Sequence, residues 1–553
     1  MIETFIGSDF LFYESGMRLY YVGRCSGDNE AIGWHLPGKM GGLWIDTIRI
    51  LSSIQVKDHD HVQMPERFQN HGLMKTLAFS CGTISMMAHP FLPIFYLSGA
   101  SWEKNLKIWL TTDATPVWLE KSQWEVTSVQ WHQGKGSWKL REREELGYEH
   151  SCFLDGEGVE LLFHSGHWIV SPSGREWTIQ ISTGAPFSIP FNCALEEKQN
   201  YVQRYLPPPN DGISYWAAHN ALDLFMERKK GAGFAAGFPE FPWWFGIDSI
   251  YTCLGLIRTP MLPMVRRTID NLLHYGNGFP VHEITTEGKV YSPARMNEVL
   301  AMVWLLIQYS NHSEETSYVS IIEKLVLYVL RNCDQDGFPL GEGIVEVPTP
   351  KLPGYLDCAS WWIAILKALN RSPKLVYGLE AAFGLSAFAQ KVERSFIQKW
   401  KRSPSLFFDI KTSTRMDYFG HFIQIYPYEL GIVDMQLGKE SLDYMVEEGY
   451  FNPYGLVHSL PIYTFDAGDY GNCKKNEMTW TLPTVLGLRA AKRYGMDALF
   501  HQLLANLRNG WKEGMIGAIP EILSQPGLSN NGCIVQAWNG YLLQDDLWNP
   551  QSL

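Results

Sequence analysis

The chain has 553 residues, 46% of them hydrophobic and 19% charged, and its formal net charge is −12. This length exceeds one ordinary hydrophobic core, so two domains are expected. The negative charge disfavours a nucleic-acid partner, because binding phosphates requires a basic surface, and no apolar run reaches the roughly 18 residues that a membrane-spanning helix needs.

The N-terminal residues and the cysteines point to one compartment. The opening MIETFIGSDFLFYESG has acids within its apolar part and no basic segment, so no signal peptide is predicted and the cytoplasm is expected. Nine scattered cysteines without a C-x-x-C pair are typical of buried thiols in a reducing environment. His59, Asp60 and His61 could hold a metal only with further ligands, so a solvated polar turn is favoured. We expect no cofactor and no metal.

Before residue 210 the sequence is typical of strands. Short β-branched or aromatic segments are interrupted by Gly, Ser and Asp. Examples are RLYYVGR, GLWIDTIRILSSIQV, FYLSGASWEKNLKIWL, VELLFHSGHWIV and EWTIQIST. We predict a β-sandwich domain over residues 1–195 and a linker over 196–212, where a short helical segment leads into a proline-rich connector.

After the connector, apolar residues recur at three- and four-residue spacing, which indicates about a dozen helices by that periodicity. Long loops rich in Gly, Pro and aromatic residues join many of them, and such loops often carry function. We predict that residues 213–553 form a toroid of six inner and six outer helices, an (α/α)6 barrel. The spacing alone does not establish a closed ring.

Two segments resemble nucleotide-binding motifs but differ from them in important positions. Gly33–Met40 (GWHLPGKM) has Met40 in place of the hydroxyl of a P-loop, and Pro37 interrupts it. Gly231–Ala236 (GAGFAA) follows the polar ERKK, so a flexible connection is favoured over a dinucleotide fingerprint. Neither G-x-S-x-G nor H-E-x-x-H occurs, so neither a serine-hydrolase elbow nor a zincin is indicated.

Carboxylates in aromatic, Gly/Pro-rich loops are the remaining candidates for chemistry. Asp248 follows two tryptophans in FPWWFGIDS, Glu346 stands in LGEGIVEV, and Glu521 stands in GAIPEIL. An acid before a helix is often an N-cap, which is the competing interpretation for Asp248 and Asp357. Glu346 and Glu521 fit capping less well because aliphatic residues and proline flank them. Apolar surroundings raise a carboxyl pKa, as a proton donor at neutral pH requires.

Several segments between residues 240 and 540 occur in the same order as in one known family. They are PWWFGIDS, VHEITTEGKVYSPARMNEVLAMVW, DQDGFPLGEGIVEV, EEGYFNPYGL and AIPEI followed by GCIVQAW. In these segments the helical half resembles the amylo-α-1,6-glucosidase (glycogen-debranching) enzymes and, more distantly, the glucoamylase-like inverting glycosidases, which have an (α/α)6 barrel behind a β-sandwich. Their order is a stronger signal than any single motif, and the N-terminal half matches only loosely.

This resemblance implies roles for individual residues. Glu346 would protonate the glycosidic oxygen as general acid, and Glu521 would activate water as general base. Asp248 would accept hydrogen bonds from two sugar hydroxyls, with Trp243 and Trp244 as apolar walls. Further candidates for sugar contacts are His282, Glu283, Arg295, Asn297 and Trp538, the last with a core tryptophan as an almost equal alternative.

The implied function is that of an inverting, exo-acting glycoside hydrolase that cleaves α-glycosidic bonds of oligosaccharides, in the manner of an α-glucosidase or debranching enzyme. Ile247 stands where the family usually has an Arg that grips sugar hydroxyls, and GIVEV differs from the eukaryotic pattern, where the acid is Asp. Hydrolysis of a short glycoside, such as a glycosylated solute or a rhamnoside, is therefore the alternative. A non-catalytic carbohydrate-binding protein is a third possibility, disfavoured because Glu346 and Glu521 are both present. No nucleic-acid or membrane partner is expected, and the oligomeric state is not predicted.

Overall fold

The computed structural model has a β-rich half followed by a helical half. It describes residues 2–5, 10–30, 32–33, 36, 38–80, 82–100, 106–116, 123–142, 149–173, 175–206, 212–228, 230–285, 288–344, 353–402, 405–412, 415–460, 479–510, 515, 517–523, 532–544 and 547.

Two antiparallel sheets form the N-terminal half. Their strands are β1 (Ile2–Phe5), β2 (Leu11–Gly16), β3 (Leu19–Arg24), β4 (Gly42–Ile45), β5 (Ile48–Asp58), β6 (His61–Val62), β7 (Arg67–Asn70), β8 (Lys75–Phe79), β9 (Gly82–Ala88), β10 (Ile94–Ala100), β11 (Leu106–Pro116), β12 (Trp124–His132), β13 (Lys135–Glu142), β14 (Glu149–Glu157), β15 (Val159–His164), β16 (His167–Pro172) and β17 (Glu176–Thr183). The first sheet has the order β1-β7-β8-β9-β10-β17-β14-β13-β12, and the second has the order β15-β16-β11-β5-β4-β3-β2, with β6 paired to β5.

The two sheets pack face to face, which confirms the predicted β-sandwich. In β17 the alternate residues Trp177, Ile179 and Ile181 are buried, the period-two pattern of a strand with one face on a core. Trp138 of the first sheet contacts Trp168 of the second, with ring centroids 5.9 Å apart. The predicted polar turn at His59 lies between β5 and β6, and the side chain of His59 is exposed.

Helices dominate the chain from residue 191 onward. They are α1 (Phe191–Tyr205), α2 (Ile213–Leu224), α3 (Gly246–Leu256), α4 (Leu262–Tyr275), α5 (Met296–Ser313), α6 (Val319–Arg331), α7 (Leu356–Arg371), α8 (Tyr377–Phe383), α9 (Leu385–Trp400), α10 (Tyr426–Glu429), α11 (Met435–Glu447), α12 (Thr481–Arg493) and α13 (Asp497–Gly510), with 3₁₀ segments at Pro373–Leu375, Phe422–Ile425 and Ala537–Leu543. Within the described ranges, none of these helices is long and apolar enough to cross a membrane. The domain boundaries at residues 195 and 212 stay a prediction.

Six inner segments close into a ring. Around it, α3 packs on α5, α5 on α7, α7 on α10, α10 on α12, and α12 on the terminal 3₁₀ segment, which packs back on α3. Outer helices alternate with them along the chain and cover them from outside: α4 lies against α3, α6 against α5, α9 against α7, and α13 against α12. The predicted (α/α)6 barrel is therefore present.

Burial distinguishes the inner helices from the outer ones. All eleven residues of α3 are buried, as expected for a helix surrounded by protein. The outer helix α4 buries Met264, Val265 and Ile269 but exposes Arg266 and Arg267, as an amphipathic helix does. The distribution of apolar residues along a helix therefore agrees with its position in the inner or the outer layer of the barrel.

Short strands precede several inner segments and form small sheets within the loops between helices. They are β18 (Phe225–Arg228), β19 (Gly231–Phe234), β20 (Gly237–Phe238), β21 (Trp244–Phe245), β22 (Val281–Ile284), β23 (Val290–Pro293), β24 (Gly354–Tyr355), β25 (Lys401–Arg402), β26 (Leu406–Phe407), β27 (Ile410–Lys411), β28 (Met416–Asp417), β29 (Phe451–Asn452), β30 (Gly455–Leu456) and β31 (Val535–Gln536). The residues before α3, α5, α7 and α12 have extended backbone dihedrals, so the chain turns sharply into each helix.

Two local sequence patterns differ from the structure that forms. The three- and four-residue spacing of SYWAAHNALDLFMERKK is typical of one helix, but α2 ends at Leu224, and Phe225–Arg228 pairs with Gly231–Phe234 as a two-stranded sheet. The GAGFAA segment is therefore largely a strand and not a flexible connection. In both cases the partner strand supplies hydrogen bonds that the helical periodicity of one segment does not reveal.

Candidate active site

Functional side chains converge at one end of the ring. Because inner and outer helices alternate along the chain, all inner segments run in the same direction and their N-terminal ends meet. We call this end the mouth of the barrel, defined by the N-terminal turns of α3, α5, α7 and α12 and by the start of the terminal 3₁₀ segment. The positive ends of helix dipoles gather there, which favours carboxylates in the first turns.

Asp248 joins the first inner helix to the last inner segment. It is the third residue of α3 and is 4% exposed, while Phe245 is the N-cap of this helix and makes no side-chain cap hydrogen bond. The Oδ1 of Asp248 accepts a hydrogen bond of 2.7 Å from the Nε2 of Gln536. Asp434 shows what a capping aspartate looks like in this chain, because its Oδ1 accepts from the backbone N–H of Leu437 at the start of α11. Asp248 is therefore not the N-cap of α3.

Burial controls the charge of Asp248. It raises the pKa of this carboxyl to about 7, although the hydrogen bond from Gln536 and the charge of His282 act in the opposite direction. The carboxylate of Glu298 adds to the increase. Asp248 therefore changes its protonation state near neutral pH, which is common for groups at functional sites.

His282 of β22 forms a pair with Glu298 in the first turn of α5. The Nδ1 of His282 lies 2.8 Å from the Oε1 of Glu298. Burial alone would lower the pKa of His282, but the hydrogen bond to Glu298 and the negative charge of Glu298 raise it above its ordinary value. Glu298 also caps α5 by accepting a 2.6 Å hydrogen bond from the backbone N–H of Arg295. The Nε of Arg295 lies 3.3 Å from the Oε2 of the exposed Glu342.

Asn297 and Asp357 lie at the N-terminal turns of two adjacent inner helices, α5 and α7. Both contact the same short segment, because the backbone N–H of Asn297 donates to the carbonyl of Glu342 and that of Ile344 donates to the Oδ2 of Asp357. Burial raises the pKa of Asp357 to about 6, partly offset by backbone N–H donors such as that of Ile344. Among the described residues, neither the Oδ1 of Asn297 nor the Oδ1 of Asp357 has a hydrogen-bond partner.

Glu521 is fixed between two segments near the mouth. Its backbone N–H donates to the carbonyl of Cys533, and its carbonyl accepts from the N–H of Thr481, the first residue of α12. The Oε2 of Glu521 accepts a 2.9 Å hydrogen bond from the backbone N–H of Cys533, and the side chain is 2% exposed. Asp248 is connected to this segment through Gln536, whose N–H donates to the carbonyl of Ile519. Glu346 lies outside the described residues.

Both predicted wall tryptophans are buried, and their contacts differ. The Nε1 of Trp243 donates a 2.7 Å hydrogen bond to the Oε1 of Glu283, which brings these two predicted site residues together. The Nε1 of Trp244 donates to the carbonyl of Gly233 in β19, beside the outer helix α4. The indole of Trp244 is thus bonded to a strand outside the inner ring. The ring of Trp243 instead packs against Phe245, and the ring of Phe245 contacts that of His282.

Aromatic side chains border the mouth at the last two inner segments. Trp538 stacks on Trp480, with ring centroids 5.8 Å apart and planes at 24°. Trp480 also contacts His458, with centroids 5.3 Å apart. Burial lowers the pKa of His458 to about 4, so this imidazole is neutral at physiological pH. The stack therefore adds uncharged aromatic side chains to the mouth, in contrast to the acids in the first turns of α3, α5 and α7.

The structure adds two residues that the sequence analysis did not select, Gln536 and Glu298. Gln536 donates a hydrogen bond to Asp248, and the charge of Glu298 raises the pKa of Asp248. Asp357, which the sequence analysis named with a capping interpretation, is buried and has a raised pKa. For Glu298 a signal was available, since an acid at the third position of an apolar helix often caps it. No local sequence pattern pointed to Gln536, because its partner Asp248 lies 288 positions away in the chain.

Comparison with known proteins supports the fold. No family model and no curated protein sequence matches the chain. A bacterial glucoamylase solved in complex with acarbose has 9% sequence identity and a TM-score of 0.67, with 98% of this chain and 94% of that chain covered. A GH63 mannosylglycerate hydrolase from Thermus thermophilus has 13% identity and a TM-score of 0.45, with 61% of this chain and 100% of that chain covered. The likeness to the glucoamylase shows the fold, a β-sandwich followed by an (α/α)6 barrel.

Proposed function

We propose that this chain is an inverting, exo-acting glycoside hydrolase that cleaves α-glycosidic bonds of oligosaccharides, in the manner of the amylo-α-1,6-glucosidases. The observation that carries the proposal is the set of buried acceptor oxygens at the mouth. Asp248 is buried with a pKa of about 7, and the Oδ1 atoms of Asn297 and Asp357 have no hydrogen-bond partner within the described ranges. Buried acceptors without donors are costly, and sugar hydroxyls are donors of suitable size.

The charge of the mouth favours a neutral substrate over an anionic one. Asp248, Glu283, Glu298, Asp357 and Glu521 are all buried carboxyl groups there. A phosphate or a carboxylate placed among them would meet like charges in a poorly solvated environment. A phosphorylase is disfavoured for this reason.

Glu521 is the general base and Glu346 the general acid in this proposal. Glu521 is supported by its burial, by the hydrogen bond from Cys533 that orients its carboxylate, and by the backbone links that hold it beside α12. An inverting mechanism needs room for a water between base and sugar, so the two carboxyl groups are expected to lie roughly 6.5–9.5 Å apart. Glu346 precedes α7 in the sequence and Glu521 lies between α13 and the terminal 3₁₀ segment, so the proposed acid and base come from distant parts of the chain.

The stereochemistry of the first product tests this mechanism. A single displacement at the anomeric carbon inverts it once, so an α-glycoside is expected to release the β-anomer first. Proton NMR during the first turnovers, before mutarotation, distinguishes the two anomers. Initial release of the α-anomer would exclude both the inverting mechanism and the role of Glu521 as general base.

Asp248→Asn tests the sugar-binding carboxylate. The change keeps the shape and the acceptor oxygen for Gln536 but removes the charge, so kcat/KM is expected to fall by about 1.5–3 kcal/mol, the usual worth of hydrogen bonds to charged groups. As a control, Asp434→Ala removes a true N-cap and is expected to reduce stability by about 0.5–2 kcal/mol while activity per folded molecule is kept. A capping role of Asp248 would instead leave kcat/KM unchanged in Asp248→Asn, because Asn caps helices about as well as Asp.

The pH dependence of stability gives Asp248→Asn a second readout. The pKa of Asp248 rises from 3.8 to about 7 on folding, so its stabilising contribution is fully present below 3.8 and is lost as the pH rises through 7. The Asn variant lacks this titration. Its stability relative to the native protein is therefore expected to increase by up to ~4 kcal/mol between those pH values, measured by urea unfolding. A pH-independent difference would contradict the raised pKa.

A panel of α-linked disaccharides, short glucans, glycosylated solutes and rhamnosides tests the substrate class. Ile247, which is buried beside Asp248, favours including sugars other than glucose, because an aliphatic side chain cannot grip a hydroxyl as an Arg would. Release of single sugars from the ends of oligosaccharides supports the proposal. Cleavage of short glycosides alone supports the second candidate. Binding without hydrolysis of any member would make the chain a carbohydrate-binding protein and overturn the enzymatic proposal.

A further inference from the structure

The segment that leads to Glu521 is held by a side chain of an outer helix. Asn220, in the third turn of α2, is 1% exposed. Its Nδ2 donates a 2.7 Å hydrogen bond to the carbonyl of Gly517, and its Oδ1 accepts a 2.8 Å hydrogen bond from the N–H of Ile519. Both polar atoms of one amide therefore bind the backbone of one short segment, which ends two residues later at Glu521.

Tyr13 of the β-sandwich orients this amide. The Nδ2 of Asn220 also donates to the Oη of Tyr13 at 3.2 Å, and the Oη donates to the Oδ2 of Asp223 at 2.8 Å. Burial alone would raise the pKa of Asp223, but the charge and hydrogen bond of His219 hold it below its ordinary value. Asp223 is therefore ionised and can only accept, so the Tyr13 hydroxyl donates to Asp223 and accepts from Asn220. This order fixes which end of the amide faces Gly517 and which faces Ile519.

The β-sandwich contacts the same segment at two further points. The backbone N–H of Tyr13 donates to the Sδ of Met515 at 3.4 Å. Gly517 has a φ of 91°, and a Cβ at this position would lie 2.7 Å from the ring of Trp216 and 2.8 Å from the Nδ2 of Asn70, a residue of β7. One residue of each sheet thus lies close to the segment, Tyr13 of β2 at Met515 and Asn70 of β7 at Gly517. On its other side the barrel holds it through the side chain of Asn539, whose Nδ2 donates to the carbonyl of Ile519.

We infer that Tyr13 and Asn220 are positioning residues for the general base, so that the β-sandwich is part of the catalytic apparatus and not only a neighbouring domain. This inference rests on the proposed function of Glu521. The hydrogen bonds of Asn220 fix the position of residues 517–519, and Pro520, whose ring restricts its φ angle, passes that position on to Glu521. Neither residue touches the substrate, so their effect is on the placement of the base against the attacking water.

Tyr13→Phe tests the inference with the smallest change, since it removes one hydroxyl and keeps the ring. Displacement of a reacting group by about 1 Å can cost on the order of a hundredfold in rate. We expect kcat to fall by about ten- to a hundredfold with KM changed less than about twofold, because substrate contacts are retained. Asn220→Ala is expected to lower kcat in the same way. The control is Tyr96→Phe, which removes another buried tyrosine hydroxyl of the sandwich, one that donates to the carbonyl of Ile189 away from the segment.

Hydrogen–deuterium exchange gives a readout that does not depend on activity. We expect faster exchange in a peptide covering residues 517–523 in Tyr13→Phe than in Tyr96→Phe, at similar thermal unfolding temperatures. Equal kcat and equal exchange in the two variants would overturn the inference. If the native protein hydrolyses no glycoside, the proposed function fails, whereas the exchange experiment still decides whether Tyr13 positions the segment.

Discussion

Replacing Glu521 with Gln is expected to lower kcat for a natural glycoside by about 10²–10⁴-fold, the usual contribution of a general base, with little change in KM. Gln retains the size of the side chain and an oxygen that can accept from the N–H of Cys533, so the fold is expected to persist. Without a carboxylate, however, the water beside the anomeric carbon is no longer deprotonated as it attacks. Steady-state kinetics on the best substrate of the panel measures the effect, with circular dichroism as the check of folding.

The matched control for this variant is Glu240→Gln. Glu240 is also buried and also contributes to raising the pKa of the Cys533 thiol, so it shares the local environment of Glu521 without a proposed catalytic role. Its replacement is expected to leave kcat within a few-fold of the native value. Similar losses in the two variants would mean that any buried carboxylate near Cys533 matters for structure, and Glu521 would lose its assignment as base.

Glu346→Gln is expected to cause a loss of similar size, about 10²–10⁴-fold, but only for substrates with a poor leaving group. A sugar alkoxide leaves slowly unless an acid protonates the glycosidic oxygen, whereas an activated aryl leaving group departs without protonation. The ratio of rates on an aryl glycoside and on a natural disaccharide is therefore expected to rise steeply in the variant. Parallel assays of both substrates measure this ratio.

Glu342→Gln is the control on the same loop. Glu342 is exposed and pairs with Arg295, so its replacement tests whether loss of any acid near α7 reproduces the effect. We expect both substrates to be affected equally and weakly. A Glu346→Gln variant that loses activity equally on both substrates would exclude Glu346 as the general acid.

Much of the architecture was predictable from local patterns. The period of two in EWTIQIST and the period of three to four in LPMVRRTIDNLLHY each reflect which side chains the element buries, so they predict a strand and an outer helix without knowledge of their partners. The apolar run after Asp248 likewise predicts a helix, and the structure shows that α3 is buried on all sides. These patterns can be read locally because the side chains that an element buries on one face recur at a fixed spacing within that element.

The candidate site was only partly predictable. Aromatic and proline-rich loops drew attention to Asp248 and Glu521, and the structure places both at the mouth, connected through Gln536. The difference between Trp243 and Trp244 could not be foreseen, since Trp244 belongs to β21 and Trp243 lies just before it, and only their partners decide which side chain faces the site. Their roles as apolar walls, like the other site assignments, remain proposals.

The sequence by itself determined most of the elements, their order and the clustering of acids near the starts of apolar helices, because these features depend on neighbours in the chain. Only the tertiary structure decided that the ring closes, that the strand Phe225–Arg228 replaces a helical turn, and that Asp248 meets a residue 288 positions away. It also decided the electrostatics of the mouth. Asp248 has a raised pKa because the folded chain removes water from it and brings Glu298 near, and both effects act through space and not along the sequence.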